Sequence, residues 1–136
     1  MWQFVHKYLL AGTITWAFVI FILCATPGQY IPSYSWLDLL SFDKFVHAGM
    51  FFILCSLGFL LGRKHHKAKI YFYMFFLSAV LYGISLEWMQ ANLFVNRSAD
   101  INDIIANSFG SVCAVFAANK LHLKFESKIK SNQSAI

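Results

Sequence analysis

AKIYFYMFFLSAVLYGISLEWMQ, residues 68–90, decides the architecture of this chain. Between Lys69 and Glu87 lie 17 residues without a charge. A bilayer core about 30 Å thick needs roughly 20 mostly apolar helical residues to cross it. The run meets that length and then closes on Glu87 and Gln90, which are polar where a span should be greasy. Working outward, three more runs have the same character: 8–25 (YLLAGTITWAFVIFILCA), 45–62 (FVHAGMFFILCSLGFLLG) and 101–118 (INDIIANSFGSVCAVFAA). The whole chain is 59% hydrophobic and 12% charged, against about 25% charged in ordinary soluble domains. These features exclude a soluble fold and predict one all-α membrane domain over residues 1–136, a bundle of four transmembrane helices.

The first run is read as a retained span. A short leader with His6 and Lys7 precedes it, but its apolar stretch is longer than a signal peptide's, and Pro27 follows where a helix would stop. Cys24, Cys55 and Cys113 sit singly in apolar runs without metal-binding spacing, as small buried hydrophobes do. Gly58 and Gly62 form a GxxxG, a spacing found at close helix contacts. The sequence leaves the oligomeric state open.

Charge sets the expected orientation. Of the 11 basic residues, Lys7, Arg63, Lys64, Lys67, Lys69, Lys120, Lys124, Lys128 and Lys130 fall on one side of the spans, leaving Lys44 and Arg97 on the other. The positive-inside rule then places both termini and the 63–69 connection in the cytoplasm, with residues 119–136 a cytoplasmic basic tail. The basic residues lie where topology asks for them and lack the interleaved aromatics of a nucleic-acid groove, so nucleic acid is not an expected partner. Residues 26–44 hold both prolines and the aromatics Tyr30, Tyr34 and Trp36, and Ser35–Leu40 suits a short interfacial helix.

Polar residues interrupt three of the runs toward one end. Asp43, Lys44 and His47 open the second span, Glu87 and Gln90 close the third, and Asp103 and Asn107 follow Arg97 and Asp100 into the fourth. A charge at mid-bilayer costs about 2.5–3.5 kcal/mol even on lenient scales, so such residues face a bundle interior and mark function by default. With a rise of about 1.5 Å per residue, His47 stands roughly 24 Å above Arg63, Glu87 about 27 Å above Lys69 and Asp103 about 25 Å above Lys120. Asn107, at about 20 Å, lies level with Gly83 at about 21 Å. One polar layer just inside the outer boundary is expected. Asp43 and His47 are four apart, so the carboxylate is expected to hold the imidazole. Asp100 and Asp103 resemble a helix-capping arrangement. Asp100, Asp103, Asn107, Gly110 and Ala114 form one stripe whose small members permit close approach.

The pattern Asp43-Lys44-x-x-His47, then Glu87-x-x-Gln90, then Arg97 with Asp103, Asn107 and Gly110, resembles the VanZ-like family of small bacterial membrane proteins over about residues 40–118. Asn96 stands where the family often has glycine, Ala48 where it favours an aromatic, and Ala114 where a second glycine is common. The family is named for a member linked to teicoplanin resistance. The resemblance implies a multi-pass protein of the bacterial plasma membrane, with its site on the side where cell-wall precursors are displayed.

Three readings of the layer follow. In the first, Asp43, Lys44, His47, Glu87, Gln90, Arg97, Asp100, Asp103 and Asn107 bind the head of a lipid-linked cell-wall intermediate or a lipidated glycopeptide, with Arg97 as phosphate or carboxylate donor. In the second, the layer is a hydrolytic site whose catalytic candidates are His47, Glu87 and Asp103. Those three are also the metal candidates: oxygen ligands suit Mg²⁺, Ca²⁺ or Mn²⁺, and the histidine admits Zn²⁺. The sequence requires no cofactor. In the third, the same groups only pair across helices and lock the bundle.

Overall fold

The computed structural model describes residues 2–27, 42–62 and 68–133. The described residues form four helices: α1 Trp2–Ala25, α2 Phe42–Gly62, α3 Ala68–Asn92 and α4 Ile101–Gln133. Each contains a stretch long and apolar enough to cross a membrane: Tyr8–Ala25, Phe42–Gly62, Ile70–Asn92 and Ile101–Ala118. This is an all-α membrane protein with four spans. The 28–41 segment, with the proposed interfacial helix, and the 63–67 connection lie outside the described residues.

The second span starts earlier than expected. The second helix begins at Phe42, three residues before 45, and so includes Asp43 and Lys44. These charges read as an edge in sequence, but Lys44 is neutralised by carboxylates brought from elsewhere in the chain. The fourth span, Ile101–Ala118, has the expected bounds, and its helix continues beyond the span to Gln133. Residues 119–133 contain neither Gly nor Pro, and their Leu, Lys and Glu residues favour continued helix.

The surface and interior are inverted relative to a soluble protein. Phe45, Phe109 and Phe116 are 71%, 64% and 69% exposed, whereas Glu87, Gln90, Asn107 and Ser111 are buried. With lipid as solvent, polar groups gain by turning inward and large apolar groups lose nothing by turning out.

Helices α2 and α4 form the closest pair. A Cβ added at Gly110 would overlap the backbone carbonyl of Ala48, so only glycine permits this approach. The GxxxG of α2 is used within the chain: Gly58 lies under the Phe75 ring and Gly62 against Tyr71, both from α3. Helix α1 is fixed by two directed bonds. Trp16 Nε1 donates to the Met50 carbonyl at 2.9 Å, and the Tyr82 hydroxyl donates to the Ala17 carbonyl at 2.7 Å. A core of Ile20, Cys24, Met50, Phe51, Leu54, Cys55, Ala79, Leu86 and Ala114 fills the space between the helices. Cys24, Cys55 and Cys113 are free thiols.

Candidate functional site

The C-terminal ends of α1 and α3 and the N-terminal ends of α2 and α4 meet at one end of the bundle, and the polar residues gather there. Helix α4 starts at that end because Asp100 caps it: Asp100 Oδ1 accepts from the Asn102 backbone N–H at 2.8 Å and from Asn102 Nδ2 at 3.0 Å. A full capping box would turn Asp103 back onto the Asp100 N–H. Instead Glu87 Oε2, from α3, accepts that N–H at 3.0 Å. Asp103 is thereby free to face inward.

Lys44 binds the outer part of the layer together. Its Nζ lies 2.8 Å from Asp43 Oδ2, 2.5 Å from Asp100 Oδ2 and 2.5 Å from Asp103 Oδ1. The Lys44 ammonium and the Asn102 N–H hold the Asp100 carboxyl below the usual carboxylate range. Asp43 is the most solvent-facing member of the group, its side chain 59% exposed.

Below this sits the inner part. His47 Nδ1 is 3.2 Å from Asn107 Oδ1, and its Nε2 faces Asp103 Oδ2 at 3.9 Å. The expected Asp43–His47 pair is therefore corrected: Asp43 turns to Lys44, and His47 is held from α4. An i,i+4 spacing makes two side chains neighbours, but it does not decide which of several neighbours wins. Asn107 also packs against Gly83, where an added Cβ would stand 3.2 Å from its Nδ2. His47, Glu87 and Asp103, all buried, offer ligand atoms within 4.8 Å of one another.

Gln90 and Arg97 face α1. Gln90 Nε2 donates to the Cys24 carbonyl at 3.2 Å, and Arg97 Nη2 makes longer contacts to Leu23 and Cys24 carbonyls at 3.4 and 3.5 Å. The last carbonyls of a helix have no partner within it, and a cation there also meets the negative end of the helix dipole. So these two residues cap α1 as well as bordering the layer. Among the described residues, two buried side-chain atoms nevertheless have no partner: Glu87 Oε1 and Arg97 Nε.

The matching family model is that described as VanZ/LLP1, over residues 4–122. The chain belongs to the VanZ/LLP1 family. The match takes in all four spans and every residue of the polar layer, so it extends the likeness carried by residues 40–118 to include α1. No curated protein and no solved structure matches the chain. In this VanZ/LLP1 member, Asn96 has φ of 53°, in the left-handed region. Asparagine is among the few residues besides glycine that visit this region routinely.

Sequence reasoning did not single out Ser111, Phe51, Trp16 or Tyr82. Ser111 is fully buried and donates to the Asn107 carbonyl at 2.9 Å. Its signal was available, because Asp103, Asn107 and Ser111 are spaced by four on one face of α4. Phe51, one turn below His47 and fully buried, packs at Gly83 beneath the layer. Nothing in sequence distinguishes Trp16 and Tyr82 from the many interfacial aromatics.

Proposed function

We propose that this VanZ/LLP1 protein binds the polar head of a membrane amphiphile of the bacterial cell envelope in its polar layer. The observation that carries this reading is that Glu87 Oε1 and Arg97 Nε are buried without a partner among the described residues. Leaving a buried polar group unsatisfied costs about 1–3 kcal/mol, and more for a charged one. A layer that served only as a lock would gain by pairing them within the chain. One empty acceptor and one empty donor describe a ligand that supplies both, as a hydroxyl or an amide does.

The charge of the layer narrows the ligand further. Asp43, Glu87, Asp100 and Asp103 are set against Lys44 and Arg97, so fixed negative charge is in excess. Lys44 is already engaged by three carboxylates and is not the receptor for an anion. Hydroxyl, amide and ammonium groups suit the layer directly. A lipid-linked cell-wall intermediate, or a lipidated glycopeptide in a resistance role of the teicoplanin type, carries such groups beside an apolar tail. Exposed Phe45, Ile105 and Phe109 surround the layer with apolar surface for that tail. The basic residues concentrated toward the other end of the spans support an outward-facing layer in the plasma membrane, with both termini cytoplasmic.

The test is native mass spectrometry of the full-length protein in detergent, titrated with a lipid-linked disaccharide-peptide and, separately, with phosphatidylglycerol. Wild type is expected to retain the first saturably and the second weakly, and a folded Arg97→Gln variant to lose at least tenfold in the first. Equal retention of both lipids, or unchanged binding by Arg97→Gln, would overturn the reading.

A further inference from the structure

We infer that His47, Glu87 and Asp103 form a divalent-cation site of the Zn²⁺ or Mn²⁺ class, with Asn107 orienting the histidine. The inference does not depend on the headgroup reading. Three elements, α2, α3 and α4, each contribute one donor, and these lie within 4.8 Å of one another at buried positions.

The histidine is arranged as a ligand would be. Asn107 Oδ1 can only accept, so His47 Nδ1 carries the proton in the 3.2 Å bond between them. In the neutral ring that leaves the Nε2 lone pair facing Asp103 Oδ2 at 3.9 Å. A lone pair opposite a carboxylate oxygen is unfavourable until a cation, a proton or a metal ion, lies between them. Metal-bound histidines characteristically give their other N–H to a carbonyl or carboxylate, which fixes the ring and the tautomer. Asn107, 2% exposed, does this here.

The carboxylates fit the same assignment. Glu87 is 2% exposed, and after Oε2 accepts the Asp100 N–H its Oε1 has no partner. Asp103 gives Oδ1 to Lys44, which leaves Oδ2 for the ion. Zn²⁺ holds N and O donors at about 2.0–2.2 Å, so modest inward rotation of the three side chains closes the site. One imidazole with two carboxylates suits Zn²⁺ or Mn²⁺ better than the all-oxygen shells of Mg²⁺ and Ca²⁺. Three protein donors leave a coordination position to which a headgroup oxygen can add.

The experiment uses the full-length protein in detergent, stripped with EDTA and titrated with Zn²⁺ or Mn²⁺ alone by calorimetry, with no amphiphile present. Wild type is expected to bind one ion per chain. Folded His47→Gln, Glu87→Gln and Asp103→Asn variants are expected to bind at least tenfold more weakly, while Ser85→Ala, at an exposed residue outside the layer, retains wild-type affinity and Arg97→Gln keeps the ion. X-ray absorption on Zn²⁺-loaded wild type needs no variant and is expected to show a single imidazole among oxygen donors. Absence of binding by folded wild type, binding insensitive to all three variants, or a shell of sulfur or of paired imidazoles (Cys24, or His65 with His66) would overturn the inference. Because Arg97→Gln is expected to lose the amphiphile and keep the ion, failure of one reading is distinguishable from failure of the other.

Discussion

Replacing Glu87 with glutamine separates a functional carboxylate from a structural one. Gln keeps the shape and one carbonyl oxygen, so the Asp100 N–H, bonded at 3.0 Å, retains an acceptor. What disappears is a buried negative charge that Lys44 does not touch, beside a second carboxylate within 4.8 Å. At that separation and an effective dielectric of about 20, two like charges repel by about 3 kcal/mol. Lys44, 2.5 Å from Asp103, offsets most of this. A net stabilisation of about 1 kcal/mol is therefore expected for Glu87→Gln, together with at least tenfold weaker ligand binding, or about 1.4 kcal/mol. Reversible unfolding in mixed micelles, followed by circular dichroism, reads the first quantity, and native mass spectrometry reads the second. A variant that loses more than about 2 kcal/mol of stability, a loss typical of structural disruption, yet binds normally when folded would refute the reasoning.

Gly110→Ala is expected to cost about 1–3 kcal/mol or more, since the methyl meets the Ala48 backbone, which cannot turn aside. Gly58→Ala is expected to cost less, because the atoms in its way belong to the movable Phe75 ring; the same unfolding assay compares the two. Lys44→Met leaves Asp100 and Asp103 without their shared cation and should destabilise by well over the 1 kcal/mol or so of an exposed pair, whereas Asp43→Asn, at an exposed side chain, should fall within about 1 kcal/mol of wild type. Tyr82→Phe removes the bond to the Ala17 carbonyl and should cost about 0.6–1.7 kcal/mol. Faster proteolysis of α1 than of the other helices would accompany it.

The spans were legible in sequence because a bilayer imposes one length on every apolar run, and four runs met it. Height along each helix was also legible, since rise per residue is nearly constant; a ruler alone brings His47, Glu87 and Asp103 to one level. Which side chains bond to which was not legible. Asp43 and His47 looked like partners by spacing, but at the first turn of α2 Asp43 projects toward Lys44 and solvent, and α4 supplies the imidazole's acceptor. Asp103 looked like half of a capping box, and Glu87 from α3 took that place across 13 residues of chain. Arg97 looked like a phosphate or carboxylate donor, and Lys44 like one more member of the layer. Their prior engagement, with α1 carbonyls and with three carboxylates, follows from tertiary packing that no single helix encodes. The fourth span was legible to its last residue, Ala118, but the helix that carries it runs on to Gln133, since a helix need not end where its span does.

If a ligand completes the polar layer, a structure of the full-length protein solved in native lipid will hold it there. Non-protein density is expected within hydrogen-bond distance of both Glu87 Oε1 and Arg97 Nε, continuing as a tail between the helices and the bilayer. Both atoms satisfied by groups of the chain itself, with no such density beside them, would contradict that expectation.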